Sequence, residues 1–420
     1  MLDIKFIREN AEQVKKNCEN RNVKCDIGQL LALDRERLEL LQKVEELRAE
    51  KNLLNEEIKT AGDKQAVIEK GKTVKAQLEQ IEPRSEEVSR KFQELLLSVP
   101  NMTHPDSPIG KTDEDNVEIA RYGELPDFAF TPKTHEQLMT ELDLADFERA
   151  AKVTGSKFYY LKNGGALLEL ALVNFAMEKL IQKGFVPVIT PDLARAKVLE
   201  GIGFNPRGEE AQIYNIENTD LSLVGTAEIT MGGYHMDETF AEGELPKKYV
   251  ALSHCYRTEA GAYGKHSAGL YRVHQFTKVE MFVYAKPEES AALHEELKNI
   301  EVEIFSDLKI PFRVVDICTG DLGGPAQRKY DLEAYMVSKD GWGEVTSTSN
   351  TTDYQARRLN IKVQREDGTR EYAHLLNGTA IAISRALIAV IENYQQADGS
   401  IMVPEALKKW LPGGMEKITR

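Results

Sequence analysis

The amino-acid sequence predicts an α+β protein that begins with a helical arm, and three observations support this prediction. Heptad spacing of apolar residues between positions 33 and 95 predicts a coiled coil. Alternating apolar residues between Tyr249 and Tyr284 predict two long strands joined by a loop. Apolar helices adjoin strand-like runs at residues 166–191 and 375–387. The N-terminal part is therefore expected to be helical, and the C-terminal part to combine helices and strands.

Composition and charge exclude several classes of protein. The chain has 420 residues, of which 41% are hydrophobic, and its net charge is −14. This charge argues against a general binder of nucleic acids or anionic membranes, although it allows local basic patches. No apolar run approaches the ~20 residues of a membrane span. The N-terminus resembles no targeting peptide, so we expect a cytoplasmic protein without membrane contact. The four cysteines form no CxxC pair, so we expect no zinc site.

The N-terminal region is predicted to form an antiparallel helical hairpin. One short amphipathic helix is expected within residues 1–27. Two heptad runs follow, separated by the Ala-Gly-Asp sequence at 61–63, and each predicts a helix roughly 45 Å long. Pro83 lies in the second run, where it is expected to kink or interrupt the helix. Such an arm serves either as a dimerisation or spacer element or as a holder for a long RNA.

The domain boundary is expected near residue 110. Residues 98–110 are rich in Pro, Asn, Asp and Ser, which is typical of a linker. Beyond residue 128, glycine becomes frequent and strand patterns appear. We therefore expect a helical arm domain at 1–110 and a second domain at 111–420.

The two long predicted strands carry polar groups suited to a pocket. Arg257 and Glu259 are expected to share one face of the first strand. Arg272, Phe276 and Glu280 are expected to share one face of the second, because their spacings are even. Pairing the strands would bring together cations, carboxylates and an aromatic ring, which are the groups that bind a nucleotide. A structural hairpin with charges placed by chance is the alternative.

Residues 166–191 predict an apolar helix, closed by Gly184, and a strand that runs to Pro191. Pro187 restricts this strand to a sheet edge or an interface, which suits a dimer contact. A helix–strand pair of the core is the simpler interpretation.

Three further segments place polar groups beside apolar elements. Thr226 precedes a predicted helix, where it either caps the helix or faces a pocket. Glu344 and Ser347 lie in a segment dense in oxygen atoms, which suits a hard cation or simply a polar strand. Arg385 is the one cation of the apolar helix at 381–387, so an internal carboxylate or a bound phosphate should pair with it.

Taken together, these segments resemble the seryl-tRNA synthetases of bacterial or organellar type, which are class II aminoacyl-tRNA synthetases. The helix and strand that end at Pro191 are similar to class II motif 1. Residues 256–259 (YRTE) and 272–276 (RVHQF) are similar to motif 2, and residues 377–385 are similar to motif 3. The order of these motifs, with the Thr-Ala-Glu sequence at 226–228 and the helical arm, extends the resemblance over essentially the whole chain.

The resemblance implies an antiparallel sheet flanked by helices, and a homodimer formed across motif 1. It also implies a serine–tRNA ligase, which makes seryl-adenylate and pyrophosphate from L-serine and ATP with Mg²⁺, and then transfers serine to the 3′ end of tRNA(Ser). Whether tRNA(Sec) is also charged stays open. The arm would hold the long variable arm of the tRNA, and Lys265 of the motif 2 loop would contact the acceptor stem. The zinc-dependent variant of the family is not suggested.

The same resemblance implies the roles of individual residues. Arg257 and Arg385 would be catalytic, because two anions must meet and cations with correct positioning then dominate. The implied ATP-binding residues are Arg257, Thr258, Glu259, Arg272, Val273, Phe276, Glu344, Val345, Thr346, Ser347 and Arg385. The implied serine-binding residues are Thr226, Ala227, Glu228, Arg257, Glu280, Asn377 and Thr379. Glu344 and Ser347 would hold Mg²⁺.

The sequence departs from the family pattern at a few positions. Ser384 stands where the class II pattern has Glu, and His266 and Ala268 stand where family members often carry Asp and Arg. One alternative is a paralogue that activates another small amino acid or loads a carrier protein, against which the arm argues. The other is a non-catalytic coiled-coil interaction protein, against which the intact charged residues of motifs 2 and 3 argue.

Overall fold

The computed structural model describes residues 1–204, 212–259 and 269–420. It contains two compact units, Met1–Met102 and Thr103–Arg420. The helices of the first unit are α1 (Ile4–Glu9), α2 (Ala11–Asn20), α3 (Ile27–Thr60) and α4 (Lys64–Ser98).

The two long helices of the first unit form the predicted antiparallel coiled coil. Apolar side chains at the heptad positions are buried between them, namely Val44, Leu47 and Leu54 of α3 and Val67, Val74 and Leu78 of α4. Ion pairs link the helix surfaces, with Arg48 2.7 Å from Glu82 and Arg84 2.6 Å from Glu36. Apolar packing along the seam, rather than these exposed ion pairs, supplies most of the stability.

One expectation for the first unit is wrong in detail, and one of the two outcomes expected at Pro83, a kink or an interruption, does not occur. The single short helix expected within residues 1–27 is split into α1 and α2, because Asn10 ends α1 and its side-chain amide donates to the Phe6 carbonyl at 3.0 Å. The interruption expected at Pro83 does not occur, since α4 runs through this residue. Leu78 and Val88 are buried on either side of Pro83, and their packing offsets the missing N–H of the proline.

The second unit is built on a large sheet. The strands of this unit are β1 (Val117–Tyr122), β2 (Ala145–Asp146), β3 (Tyr160–Leu161), β4 (Val186–Ile189), β5 (Leu193–Arg195), β6 (Leu221–Leu223), β7 (Thr239–Ala241), β8 (Lys247–Tyr256), β9 (Gln275–Ala285), β10 (Phe312–Asp316), β11 (Arg328–Met336), β12 (Gly341–Asn350), β13 (Lys362–Gln364), β14 (Arg370–Tyr372), β15 (His374–Ala382), β16 (Ile401–Met402) and β17 (Lys417–Ile418). In the described ranges, eight of them form the main sheet in the order β1-β10-β11-β12-β15-β9-β8-β4. Neighbouring strands are antiparallel except β4 and β8, which are parallel.

Helices cover both faces of this sheet. The helices of this unit are α5 (His135–Glu141), α6 (Phe147–Thr154), α7 (Asn163–Gln182), α8 (Ala196–Ile202), α9 (Ala227–Gly233), α10 (Ser290–Asp307), α11 (Tyr354–Leu359) and α12 (Ile383–Asn393). The larger core contains apolar side chains of α7, α10 and α12, together with Val279, Met281 and Val283 of β9. Phe282 and Tyr284 of β9 alternate with these residues and pack against α8 and α9 on the other face. No helix in the described residues is both long and apolar enough to span a bilayer.

The predicted pair of long strands is confirmed as β8 and β9, which are antiparallel, with Cys255 opposite Phe276. The strands are shorter than expected at the end near the loop. Arg257 and Glu259 follow the last residue of β8, and Arg272 precedes the first residue of β9. Glu259 has a left-handed backbone (φ 48°), so the chain turns there instead of continuing the strand.

The expectation for Pro187 is confirmed, because β4 lies at the edge of the main sheet. Two β-bulges lie further inside it. The bulge in β12 leaves Val345 without a cross-strand partner, because Glu344 is opposite Glu333 and Thr346 is opposite Leu332.

The second bulge, in β15, leaves Ala380 without a cross-strand partner, because Thr379 is opposite Glu280 and Ile381 is opposite Val279. Each bulge shifts the alternation of side chains by one residue.

Candidate active site

A polar pocket lies between the two bulges, the ends of β8 and β9, and the first turn of α12. Its lining residues are Arg257, Glu259, Tyr271, Val273, Phe276, Lys278, Glu344, Val345, Thr346, Thr379, Ala382, Ser384 and Arg385. Most of the residues expected to bind ATP therefore lie around one pocket, although they come from distant parts of the chain. Bulges often re-aim side chains next to functional sites, which is consistent with this position.

Arg385 and Glu344 face each other in this pocket. The Nη1 atom of Arg385 lies 3.1 Å from the Oε1 atom of Glu344 and also donates to the Glu344 carbonyl at 3.1 Å. Burial raises the pKa of Glu344, but the charges of Arg385 and Lys329 outweigh burial and lower this pKa to about 2. Burial also opposes the charge of Arg385, yet Glu344 raises the pKa of Arg385 above its ordinary value. Both groups are therefore charged at neutral pH.

Arg257 extends into the pocket from the end of β8. Its Nε atom donates to the Gly225 carbonyl at 3.2 Å, and its guanidinium lies 5.4 Å from the centre of the Phe276 ring. Arg272 does not line the pocket but pairs with a residue that does, since its Nη1 atom is 3.1 Å from the Oε2 atom of Glu259. Three guanidinium groups, those of Arg257, Arg272 and Arg385, are thus arranged around the same region.

Lys278, Glu280 and Thr379 form a buried polar cluster in the wall of the pocket, which Lys278 and Thr379 line. The Nζ atom of Lys278 lies 2.6 Å from the Oε2 atom of Glu280, and the Thr379 hydroxyl donates to the same oxygen at 3.1 Å. Lys278 was missed in the sequence interpretation, although it lies midway between Phe276 and Glu280 at even spacing. That spacing places Lys278 on the same face of β9 and would have identified it.

Glu228, Asn377 and Gln355 form a second polar cluster. The Oε1 atom of Glu228 accepts from the Asn377 amide at 3.1 Å and from the Gln355 amide at 2.8 Å. Burial and then the charge of Glu280 raise the pKa of Glu228 to about 7. Gln355 lies on α11 and carried no signal in the sequence, because the two groups to which its amide donates, the Glu228 carboxylate and the Ile202 carbonyl, are distant along the chain.

Thr226 begins the helix that carries Glu228. Its hydroxyl accepts from the Glu228 N–H at 3.1 Å, so the capping interpretation of Thr226 is confirmed. Ala227 follows as the first residue of α9 and is buried. Because Gly225 accepts a hydrogen bond from Arg257, this helix start is tied to the pocket.

Glu344 and Ser347 share one face of β12 although they are three residues apart. Glu344 is opposite Glu333 and Ser347 is opposite Asp331, and these two partners alternate regularly along β11. A carboxylate and a hydroxyl on one face are suitable oxygen ligands for Mg²⁺. In the ranges that the structure describes, no group of three or more His, Cys, Asp or Glu side chains could hold a metal ion.

The remaining residues that the sequence interpretation singled out for ATP or RNA binding lie in several separate places. Thr258 lies beyond β8, where its N–H donates to the Gln212 carbonyl at 3.4 Å. The Thr346 hydroxyl points away from solvent and donates to the Oε2 atom of Glu301 at 2.9 Å. Glu301 is a buried residue of α10 that the sequence interpretation missed, and burial raises its pKa well above the ordinary value. Lys265 and His266, with the rest of the motif 2 loop at 260–268, lie outside the described residues.

Similarity to known proteins decides the family. Residues 1–103 match the family described as Seryl-tRNA synthetase N-terminal domain, and residues 213–394 match the family described as tRNA synthetase class II core domain (G, H, P, S and T). The chain is 54% identical to the serine–tRNA ligase of Treponema denticola over 412 residues, which cover 97% of this chain and 98% of that relative. The chain belongs to the seryl-tRNA synthetase family. It is also 53% identical to the serine–tRNA ligase of Rubrobacter xylanophilus, covering 97% of each chain.

Solved structures of the family have the same fold. The structure of seryl-tRNA synthetase from Pyrococcus horikoshii complexed with ATP superimposes with a TM-score of 0.90 at 41% identity, over 100% of this chain and 99% of that one. The cytoplasmic serine–tRNA ligase of Naegleria fowleri in complex with AMP gives a TM-score of 0.84 at 28% identity, over 100% and 99% of the two chains. The expected family and its α+β class II fold with a helical arm are therefore confirmed.

Proposed function

We propose that this chain is an ATP-dependent serine–tRNA ligase that activates L-serine as seryl-adenylate and transfers serine to the 3′ end of tRNA(Ser). The observation that carries the proposal is that side chains suited to a nucleotide and a carboxylate suited to a small amino acid lie at the same pocket. Arg257, Arg385 and Phe276 line a pocket suited to a nucleotide, and Glu280 lies directly behind it. A nucleotide and a small polar amino acid can therefore meet in one site.

ATP would bind along the cationic side of the pocket. Arg257 would hold the α-phosphate and the serine carboxylate, while Arg272 and Arg385 would hold the outer phosphates. Phe276 would stack on adenine, and Glu259 would accept a hydrogen bond from the adenine amino group. Thr258, Val273, Val345 and Thr346 would complete the nucleotide site. The ion pairs of Arg272 and Arg385 with carboxylates support this assignment, because they hold both guanidinium groups near the pocket before ATP binds.

Mg²⁺ would bind to Glu344 and Ser347. The shared face of these two residues and the low pKa of Glu344 support this proposal, because an ionised carboxylate and a hydroxyl suit the ion. When bound, Mg²⁺ would neutralise the charge of the phosphates. The attacking carboxylate and the α-phosphorus would be positioned by the chain's own guanidinium groups, so no side-chain nucleophile is needed.

Serine would occupy the region between the two buried polar clusters. Glu280 would accept from the ammonium or hydroxyl of serine. The other groups around serine would be Thr226, Ala227, Glu228, Arg257, Asn377 and Thr379. Such a site would reject alanine, because its polar groups would lose their partner. The hydrogen bonds of Thr379 to Glu280 and of Asn377 to Glu228 support the proposal, because they orient both carboxylates.

The RNA would be bound by the first unit, because the match to the N-terminal domain of the family, over residues 1–103, covers all of this unit. We also propose a homodimer formed through β4, because this edge strand exposes apolar side chains such as Ile189, which is 80% exposed.

Amino-acid-dependent exchange of pyrophosphate into ATP tests the proposal. The purified chain is assayed with Mg²⁺ and with serine, threonine, alanine, glycine or cysteine, and a reaction without amino acid is the control. We expect exchange with serine and little with the others. Exchange with another amino acid would contradict the proposed specificity, and absence of exchange from folded protein would contradict the activity. A charging assay with tRNA(Ser) then tests the second step.

A further inference from the structure

An aromatic ring at the pocket contacts two cations. Tyr271 lines the pocket, and the guanidinium carbon of Arg385 lies 4.8 Å from the centre of the Tyr271 ring. The ammonium group of Lys339 lies 3.6 Å from the centre of the same ring. Lys339 ends a short turn, Val337–Lys339, between β11 and β12. The family resemblance assigns no role to either Tyr271 or Lys339, so their contact with Arg385 needs its own explanation.

The two cations differ in their counter-charges. Arg385 is paired with Glu344, 3.1 Å away. For Lys339, no carboxylate oxygen of the described ranges lies within 4.0 Å of the ammonium group. Two positive charges at one ring repel each other, and an anion that binds beside them relieves this repulsion. The charge of Lys339 therefore favours a polyanionic ligand in this part of the pocket.

A buried pair of side chains fixes the two segments that meet here. The Oε2 atom of Glu392 accepts from the Ser338 N–H at 3.0 Å. The Oε1 atom of Glu392 is 2.7 Å from the Nδ1 atom of His135, and the Nε2 atom of His135 accepts from the Leu270 N–H at 3.2 Å. Glu392 and His135 are both buried. This chain of hydrogen bonds ties the turn that carries the lysine to the segment that carries the tyrosine.

Two glycines leave the space that this arrangement needs. A β-carbon on Gly269 would lie 2.1 Å from the Nε2 atom of His135, and Gly269 has a left-handed backbone (φ 61°). A β-carbon on Gly343 would lie 3.0 Å from the Cδ atom of Lys339. The lysine stem therefore packs against the backbone of β12 beside Glu344, which holds the ammonium group at the Tyr271 ring.

We propose that Lys339 is a further cation for the outer phosphates of ATP, held beside Arg385 by the ring of Tyr271. The inference rests on the proposed function, in which Arg385 binds the outer phosphates. An ammonium group that shares a ring with Arg385 adds positive charge where these phosphates would lie. The proposed site of the α-phosphate is Arg257, so AMP would gain little from Lys339. Lys339 should therefore favour ATP over AMP.

Nucleotide affinity in the absence of turnover tests this proposal. ATP or AMP is titrated into the purified full chain with Mg²⁺ but without serine, and calorimetry gives the two Kd values. In Lys339→Met, which removes the charge and keeps the length of the side chain, we expect the Kd for ATP to increase about fivefold. The Kd for AMP should change by less than about twofold. Lys339→Arg should retain most of the affinity for ATP, because it keeps the charge.

Replacement of the ring tests the role of Tyr271. In Tyr271→Leu, the Kd for ATP should increase at least as much as in Lys339→Met, because both cations lose the ring that they contact. Tyr271→Phe keeps the ring and should bind ATP like the unsubstituted chain. Weak ATP binding in Tyr271→Phe would contradict the role of the ring.

A second tyrosine of the same unit provides the matched control. The ring centre of Tyr372 lies 4.7 Å from the guanidinium carbon of Arg357 and 5.5 Å from the ammonium group of Lys362. None of these three residues lines the pocket. Lys362→Met therefore removes a lysine from a similar contact, and it should leave the Kd values for ATP and AMP unchanged.

Two results would overturn the proposal. One is a Kd for ATP in Lys339→Met that equals that of the unsubstituted chain. The other is an equal loss of affinity for ATP and AMP, which would mean that Lys339 supports the shape of the pocket. Failure of the proposed function looks different, because the unsubstituted chain itself would then bind no ATP or show no serine-dependent exchange.

Discussion

The guanidinium group of Arg385 and the carboxylate of Glu344 form an ion pair across the pocket, with Nη1 and Oε1 3.1 Å apart. Arg385 comes from the first turn of α12 and Glu344 from the bulge of β12, so the pair joins two elements that meet only in the folded chain. If ATP binds as proposed, phosphate oxygens approach Arg385 while Mg²⁺ approaches Glu344. The pair then holds both groups in position before the ligand arrives.

Replacement of Arg385 should therefore damage nucleotide use. In Arg385→Ala, we expect kcat/KM for ATP in pyrophosphate exchange to fall about 100-fold or more, because a preorganised cation is lost. Arg370→Ala is the matched control, since Arg370 is exposed on β14. A decrease of only a few-fold in Arg385→Ala would remove Arg385 from the proposed phosphate site.

Ser347 offers a test of the magnesium site that does not depend on maximal activity. In Ser347→Ala, we expect the Mg²⁺ concentration that gives half-maximal exchange to increase, because one oxygen ligand is lost. Ser349→Ala is the control on the same strand, where Ser349 is opposite Lys329. Equal Mg²⁺ requirements in the two variants would show that Ser347 is not a ligand.

Glu280 should determine the use of serine. In Glu280→Ala, we expect serine activation to be lost, because the acceptor proposed for serine is removed and Lys278 loses its partner at 2.6 Å. Glu280→Gln keeps the size of the side chain and should retain more of the fold, yet its kcat/KM for serine should still fall about 100-fold or more. Circular dichroism of both variants separates loss of binding from loss of folding. Near-normal serine activation in folded Glu280→Ala would refute the assignment.

Glu228 should make the stability depend on pH. Its pKa is about 7 in the folded chain and near the ordinary 4.5 when unfolded. Between these two pKa values the folded chain binds more protons than the unfolded chain. The stability of the fold therefore decreases as pH rises from about 4.5 to about 7, and it levels off above about pH 7. The groups around the Glu228 carboxyl are Glu280, Gln355, Lys278 and Arg257. None of them is changed in the control variant, Glu228→Gln.

The control for this dependence is Glu228→Gln, which cannot ionise. Relative to this variant, the free energy of unfolding of the unsubstituted chain should fall across the same window, by about 3 kcal/mol at most. Urea unfolding at several pH values measures the difference. Parallel curves for the two proteins would contradict the raised pKa.

The coiled coil should be needed for tRNA but not for adenylate formation. Arg37 contacts Phe92, and Arg48 pairs with Glu82 across the two helices. Leu41 and Val88 lie between these two contacts on their helices. Removal of residues 42–87, with a short glycine turn that joins Leu41 to Val88, would therefore shorten the hairpin and keep its base. We expect serine-dependent exchange to be retained and charging of tRNA(Ser) to be lost. Equal loss of both activities would mean that the outer arm supports the fold instead.

The elements that depend on local pattern could be predicted from the sequence. Heptad spacing identified α3 and α4, and alternation of apolar residues identified β8 and β9, because burial of one face imposes a period on nearby residues. Pro187 correctly restricted β4 to the sheet edge, because proline lacks the N–H that a central strand needs. The motifs also sufficed to identify the family.

Contacts between distant residues were decided by the tertiary structure. The bulge at Val345 places Glu344 and Ser347 on one face, which a spacing of three in a regular strand excludes. Lys278 pairs with Glu280, Gln355 orients Glu228, and Glu301 accepts from Thr346. Lys278 and Glu280 both lie on β9, whereas the partners in the other two contacts lie on separate elements. Whether those partners meet depends on how the helices and the whole sheet pack together. The sequence by itself therefore determined the arm, the strand pair and the family, whereas tertiary packing decided which side chains meet in the pocket.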